Sequence, residues 1–162
     1  MKRNYREISS RLIDRSFPLL KGKKIHLLVM WFRFYAFSVW IPPFFRFIVM
    51  STRTKDFNDS VITGILAHEL CHQERYLKMG VWKYLGFAIR FLTSRKAQAE
   101  EERNTDRLTI EKGYGWELYE LTAITDTDRN HDKIRDLYLT PDEIRAYSES
   151  LGKWKQQEVS QN

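Results

Sequence analysis

Residues 68–72 read His-Glu-Leu-Cys-His, and that spacing constrains fold and chemistry together. Side chains four apart on an α-helix lie within roughly 40° of one another around the axis, at ~3.6 residues per turn. Two imidazoles so spaced aim at one ion only if the segment is helical. Glu69 falls at the edge of the same face, placed to take a proton from water rather than to act as a third in-line ligand. The flanking sequence agrees. Asn58, Asp59 and Ser60 offer N-caps ahead of Val61, Ile62, Ile65, Leu66 and Leu70, an apolar run at helical spacing, and Gly80 offers a stop. Gly64, one turn before His68, is expected either to let another strand or a substrate approach the helix closely or to be a merely tolerated glycine. The bland alternative is a core helix with two buried histidines and a chance glutamate.

A hydrolytic metal site needs a third protein ligand and an open position. A motif extended by a third histidine would require glycine at 75 and histidine at 78, but the chain has Arg75 and Lys78. The remaining source is a carboxylate on a following helix. Residues 95–112 read as such a helix, started by Thr93 or Ser94 and ended by Gly113. Within it Glu102 and Asp106 are four apart and share a face, so Glu102 can bind the ion while Asp106 orients a ligating imidazole, that of His68. The competing reading of Glu100, Glu101 and Glu102 is an ordinary solvated acidic face.

This HExxH helix followed by an ExxxD helix resembles the gluzincin metallopeptidases. Ala36-Phe37-Ser38 and Ile48-Val49-Met50-Ser51-Thr52 resemble the hairpin that leads into the motif helix in the membrane-linked HtpX and CAAX prenyl protease group. Asp106-Arg107-Leu108 and Gly113-Tyr114 resemble that group's continuation. Tyr35 and Thr105 depart from the pattern, which spans residues 25–115. In size and order of elements the chain is closer to the minigluzincins, small peptidases reduced to the catalytic core. The resemblance implies Zn²⁺ held by His68, His72 and Glu102, with Glu69 as general base and a tyrosine or histidine on the oxyanion; Tyr114 and His131 are the candidates. It also implies latency through a C-terminal segment.

The expected fold is α+β and zincin-like. A small mixed or antiparallel three-stranded sheet, with strands near 25–32, 35–40 and 46–52 and a turn at Ile41-Pro42-Pro43, packs on the motif helix and the glutamate helix, with helices at both ends. At 162 residues one domain burying roughly 70% of its unfolded surface is expected, covering residues 1–155 with a tail at 156–162. The strand near 46–52 is expected to be an exposed edge along the cleft, where a peptide or protein substrate adds by main-chain pairing.

Thr140, Pro141 and Glu143 mark a strong helix start, and that helix is expected to run to about Lys155. Residues 126–155 are expected to cover the cleft, with Asp126, Asp128, His131, Asp132 and Glu143 each chemically able to occupy the open metal position; the alternative is a segment that only buttresses the fold.

The net charge of +6 lies wholly in the first 24 residues. Such a basic arm suits anionic lipid or nucleic acid, although a solvated face explains it as well and no nucleic-acid module accompanies it. No nucleic-acid partner is expected. No uncharged run reaches the ~18–20 residues of a spanning helix, so contact with a membrane is confined to its surface. The stripe from Val81 to Leu92 is read first as core, with the wall of a substrate pocket or contact with a bilayer surface as the alternatives. One cysteine, Cys71, builds no disulfide framework and suits a reducing cytosol. Two readings from other classes stand beside the enzyme: a zinc-stabilised peptide-binding scaffold without turnover, and an adaptor for membrane surfaces or nucleic acid acting through the basic arm.

Overall fold

The longest element, α2 (Asp59–Thr93), carries the motif and is the axis on which the rest packs. A computed structural model describes residues 4–128 and 134–155. The helix begins where its cap demands, with the Asn58 side chain accepting from the Val61 N–H at 2.8 Å. It bends at Gly80, whose φ of 72° and ψ of 171° break the helical path into a first arm, 59–79, and a second, 81–93. The expected stop is therefore a corner.

The sheet is mixed, as expected. β1 (Ile25–Met30) runs parallel to β3 (Phe45–Ser51), and β2 (Ala36–Ile41) runs antiparallel to it, in the order β1-β3-β2. This corrects the expectation for the strand near 46–52. That strand, β3, is hydrogen-bonded on both sides and offers no free edge. Its unbroken run of Ile48, Val49 and Met50, all buried, is that of a central strand. The edges belong to β1 and β2.

Gln73, buried one position past the motif, fixes the sheet on α2. Its amide nitrogen donates to the carbonyls of Val39 at 3.2 Å and Phe47 at 3.0 Å, opposed residues on β2 and β3. The Ser38 hydroxyl adds a bond to the Glu69 carbonyl at 2.9 Å. The turn between β2 and β3 holds a cis peptide bond between Pro42 and Pro43.

α1 (Tyr5–Ser16) packs Tyr5, Ile8 and Leu12 into the main core with Ile62, Leu66 and Leu70 of α2. α3 (Arg95–Glu111) starts at Ser94, whose hydroxyl accepts from the Ala97 N–H at 3.3 Å. α4 (Gly115–Thr125) crosses α2 at Gly64, and α5 (Pro141–Ser150) opens on the expected Thr140 and Glu143 capping box. α5 ends at Ser150, short of the expected Lys155, because the chain turns at Gly152 with φ 63°. The expected tail at 156–162 lies outside the described residues.

Gly64 is explained by a helix rather than by a strand or a substrate. A Cβ there would lie 2.6 Å from the Glu117 carbonyl oxygen and 2.7 Å from its carbon. Backbone cannot swing aside, so Gly64→Ala must push α4 off α2. The expected cost is about 1–3 kcal/mol, a fall in Tm of roughly 2–12 °C for a chain of this length. An unchanged melting curve would show that α4 yields freely.

Candidate metal centre

His68 and His72 project from the first arm of α2 towards α3, and Glu102 meets both. His68 Nε2 lies 3.1 Å and His72 Nε2 3.4 Å from the same Glu102 Oε2. All three residues are buried, and their ligand atoms lie within 4.8 Å of one another. The group could hold a metal ion. Glutamate supplies this third donor because α3 runs antiparallel to the first arm of α2, with Glu101 against Arg75, Glu102 and Thr105 against His72, and Asp106 against His68.

The outer nitrogens are held as well. His68 Nδ1 lies 2.9 Å from Asp106 Oδ1, the pairing expected from the sequence, and Asp106 Oδ2 accepts the Leu139 N–H at 2.9 Å. His72 Nδ1 lies 3.4 Å from Glu101 Oε1 and 3.4 Å from the Thr105 hydroxyl. Glu101 is itself clamped by Arg75 through two bonds of 2.9 and 2.6 Å. Carboxylates on the far nitrogen fix imidazole tautomer and orientation. The role of Glu101 is a finding that the four-residue spacing of Glu102 and Asp106 could not supply. It requires seeing that Arg75 and His72 converge on one carboxylate.

Charge is distributed accordingly. Burial lowers the affinity of both imidazoles for a proton, but the surrounding carboxylates outweigh it: His68 is raised well above its ordinary value and His72 goes up to about 9. Burial pushes Glu102 upward, yet the two imidazoles hold it well below the usual carboxylate range. Glu69 goes the other way. Burial dominates and raises it, with the imidazoles pulling against that rise. Its Oε2 is buried without a hydrogen-bond partner among the described residues, and the side chain lines a cavity of about 260 Å³ beside His68. A buried carboxylate oxygen without a partner beside three converging donors calls for an explanation. The residues present fit a metal ion.

The cavity exposes a residue that sequence reasoning missed. Tyr138, just past the short turn Arg135–Leu137, has its ring centroid 6.0 Å from that of His68. Its hydroxyl lies against Glu102, and burial together with the charges of Glu102, Asp106 and Glu69 keeps the phenol protonated far above its ordinary value. The sequence carried a faint signal, a lone aromatic between Leu137 and Leu139 just ahead of a capped helix. Tyr114, the tyrosine expected on the oxyanion, is elsewhere. It is buried in the main core and its hydroxyl bonds Ser16 on α1 at 2.7 Å. Position 114 caps α4, which turns its side chain towards α1 and away from the cavity. His131 lies outside the described residues, as does Asp132.

Of the other described acids proposed to cover the site, Asp128 and Glu143 do not line its cavity. Asp128 is engaged by the Tyr35 hydroxyl at 2.7 Å and by Arg53, and Glu143 by Arg103 and the Thr140 cap. Asp126 lines the same cavity as Glu69 and pairs with Arg135 at 3.3 Å. Ile134 and Tyr138 to Pro141 line the cavity together with Asp126 and Arg135. Cys71 is buried with the Thr109 hydroxyl at 3.5 Å, and burial takes its thiol up to about 11, consistent with packing rather than ligation. Comparison with protein-family models, with curated proteins and with solved structures finds no match.

Proposed function

We propose that this protein is a zinc-dependent peptidase whose C-terminal segment restrains it. The observation that carries the reading is the orphaned Glu69 Oε2 beside the converging donors of His68, His72 and Glu102. A scaffold that only bound metal would have no use for a buried carboxylate with one oxygen unpartnered, which costs stability. Two imidazoles and one carboxylate suit zinc, whose catalytic sites keep three protein ligands. Zinc held there supplies the Lewis acidity that polarises a carbonyl and makes water acidic enough to react near neutral pH. Glu69 takes the proton of the attacking water and hands it to the leaving nitrogen. Asp106 and Glu101 hold the imidazoles in the tautomer that presents Nε2 to the ion.

For the substrate, the edge moves from β3 to β2. β2 is paired on one side only, and Phe34, Tyr35 and Ala36 at its start line the cavity, so an extended peptide can add to β2 by main-chain pairing and reach Glu69. The restraint is Tyr138, which occupies the space against Glu102 that a substrate carbonyl would need.

Cutting the chain near Thr125 is a poor test. Leu139 and Ile144 form a core with Ile110 and Leu118, and the Leu139 N–H satisfies Asp106. The segment buttresses as well as covers. The better test is the zinc-loaded full chain and Tyr138→Ala against casein and a quenched peptide. Cleavage abolished by chelation is expected, faster in the variant than in the intact chain. Slower cleavage in the variant would make Tyr138 an oxyanion donor and end the restraint reading alone. If neither protein cleaves while both hold zinc, the scaffold reading replaces the enzyme.

A further inference from the structure

We propose that the second arm of α2, together with the end of the β2–β3 hairpin, seats the protein on an anionic phospholipid surface. The proposal rests on nothing in the peptidase reading. The stripe from Val81 to Leu92, expected to be core, divides in two. Tyr84 and Phe87 face inward, with ring centroids 4.8 and 5.8 Å from Tyr76, and Phe91 continues that row 5.7 Å from Phe87. The adjoining face is exposed: Trp82 at 85%, Leu85 at 43%, Ile89 at 66% and Leu92 at 78%. Their 3-4-3 spacing makes one continuous apolar ridge along a helix whose other side is already anchored.

The end of the β2–β3 hairpin, tied to the same arm, carries three more exposed apolar side chains. The Trp40 ring lies 4.9 Å from Tyr84, and its backbone N–H donates to the Tyr84 hydroxyl at 3.1 Å. This fixes to the arm the hairpin end that carries Ile41, Phe44 and Phe45, each more than half exposed.

Charge selects the occupant. Residues 78–96 contain Lys78, Lys83, Arg90, Arg95 and Lys96 and no acidic residue. Lys83 and Arg90 lie beside the ridge around the helix axis, where long side chains can reach phosphates while the ridge enters the headgroup boundary. The pair that Arg90 forms with Glu100, at 3.6 Å and exposed on both sides, yields easily to such a partner. A second copy would bring two like-charged surfaces together, which electrostatics opposes. Among the described residues no helix is long and apolar enough to cross a membrane, so the arm lies along the surface with Trp82 at the interface.

The test is sedimentation of the full chain with vesicles of mixed phosphatidylcholine and phosphatidylserine, and with phosphatidylcholine alone, at low and high salt. Binding to the mixed vesicles is expected, weakened roughly tenfold or more by high salt or by removing phosphatidylserine. The surface variant W82S/I89S should lose roughly tenfold or more on the mixed vesicles with its circular dichroism unchanged. A second variant, K83E/K96E, should lose binding to the anionic vesicles specifically. The proposal is overturned if the wild-type chain stays in the supernatant, or if both variants bind as the wild type does. It is overturned equally if the ridge instead drives lipid-free dimerisation that W82S/I89S abolishes.

Discussion

Glu69→Gln is expected to lower peptide hydrolysis by at least ~100-fold, the lower end of what a positioned general base contributes, and to leave zinc content and fold intact. The substitution is close to isosteric and removes only the basicity of the carboxylate. Its Oε2 has no partner to lose among the described residues, and the Ser38 hydroxyl that ties the Glu69 backbone to β2 is untouched. Relieving a buried carboxylate of its charge should even stabilise the metal-free chain slightly, since burial already disfavours the ionised form. The measurement is kcat on a quenched peptide, with zinc analysis and a melting curve on the same preparation. Tyr138→Ala serves as the background if the intact chain is silent. Loss of zinc along with activity would mean that Glu69 helps to hold the ion; full activity would remove it from the reaction.

Much of this architecture could be read from local signals. Asn58, Ser94, Thr140 and Pro141 each start a helix where the sequence places a cap, because capping is chemistry between near neighbours. The His68, His72 and Glu102 set was legible for the same reason: two four-residue spacings on capped helices fix which side chains share a face. What the sequence could not reveal depends on contacts between distant segments. Strand order is one case, since β3 reads alike as edge or centre until β1 pairs with it in parallel. Tyr114 and Tyr138 are another. Both are single tyrosines beside helix starts, and only the packing of α4 on α1 and of residues 138–141 on the motif sends one to Ser16 and the other to Glu102. The stripe on the second arm of α2 stayed among several readings for a third reason, because periodicity reports an apolar face without saying what covers it.

The chain is expected to bind about one zinc ion, and His68→Ala, His72→Ala or Glu102→Ala to take it below stoichiometric detection, since each removes one of the three donors that converge among the described residues. Asp106→Asn should cost less, roughly 10–100-fold in affinity, because it acts through His68. Glu101→Gln should fall in that same class, acting through His72 and freeing Arg75. The reverse order, with Glu101 essential and Glu102 dispensable, would contradict the register of α3. Proton release supplies an independent check. With the ion absent, carboxylates hold His72 protonated up to about 9 and His68 well above its ordinary value. Both imidazoles therefore carry a proton at pH 7, and both must lose it to ligate, so loading should release about two protons per ion. The sign follows directly: affinity weakens as pH falls through neutrality and strengthens as pH rises towards 9, where His72 gives up its proton unaided. Calorimetric titration with zinc in buffers of different ionisation enthalpy reads that number. A heat independent of the buffer would mean that the imidazoles are already neutral, and that Glu102 and Asp106 do not govern them in the way the distances imply.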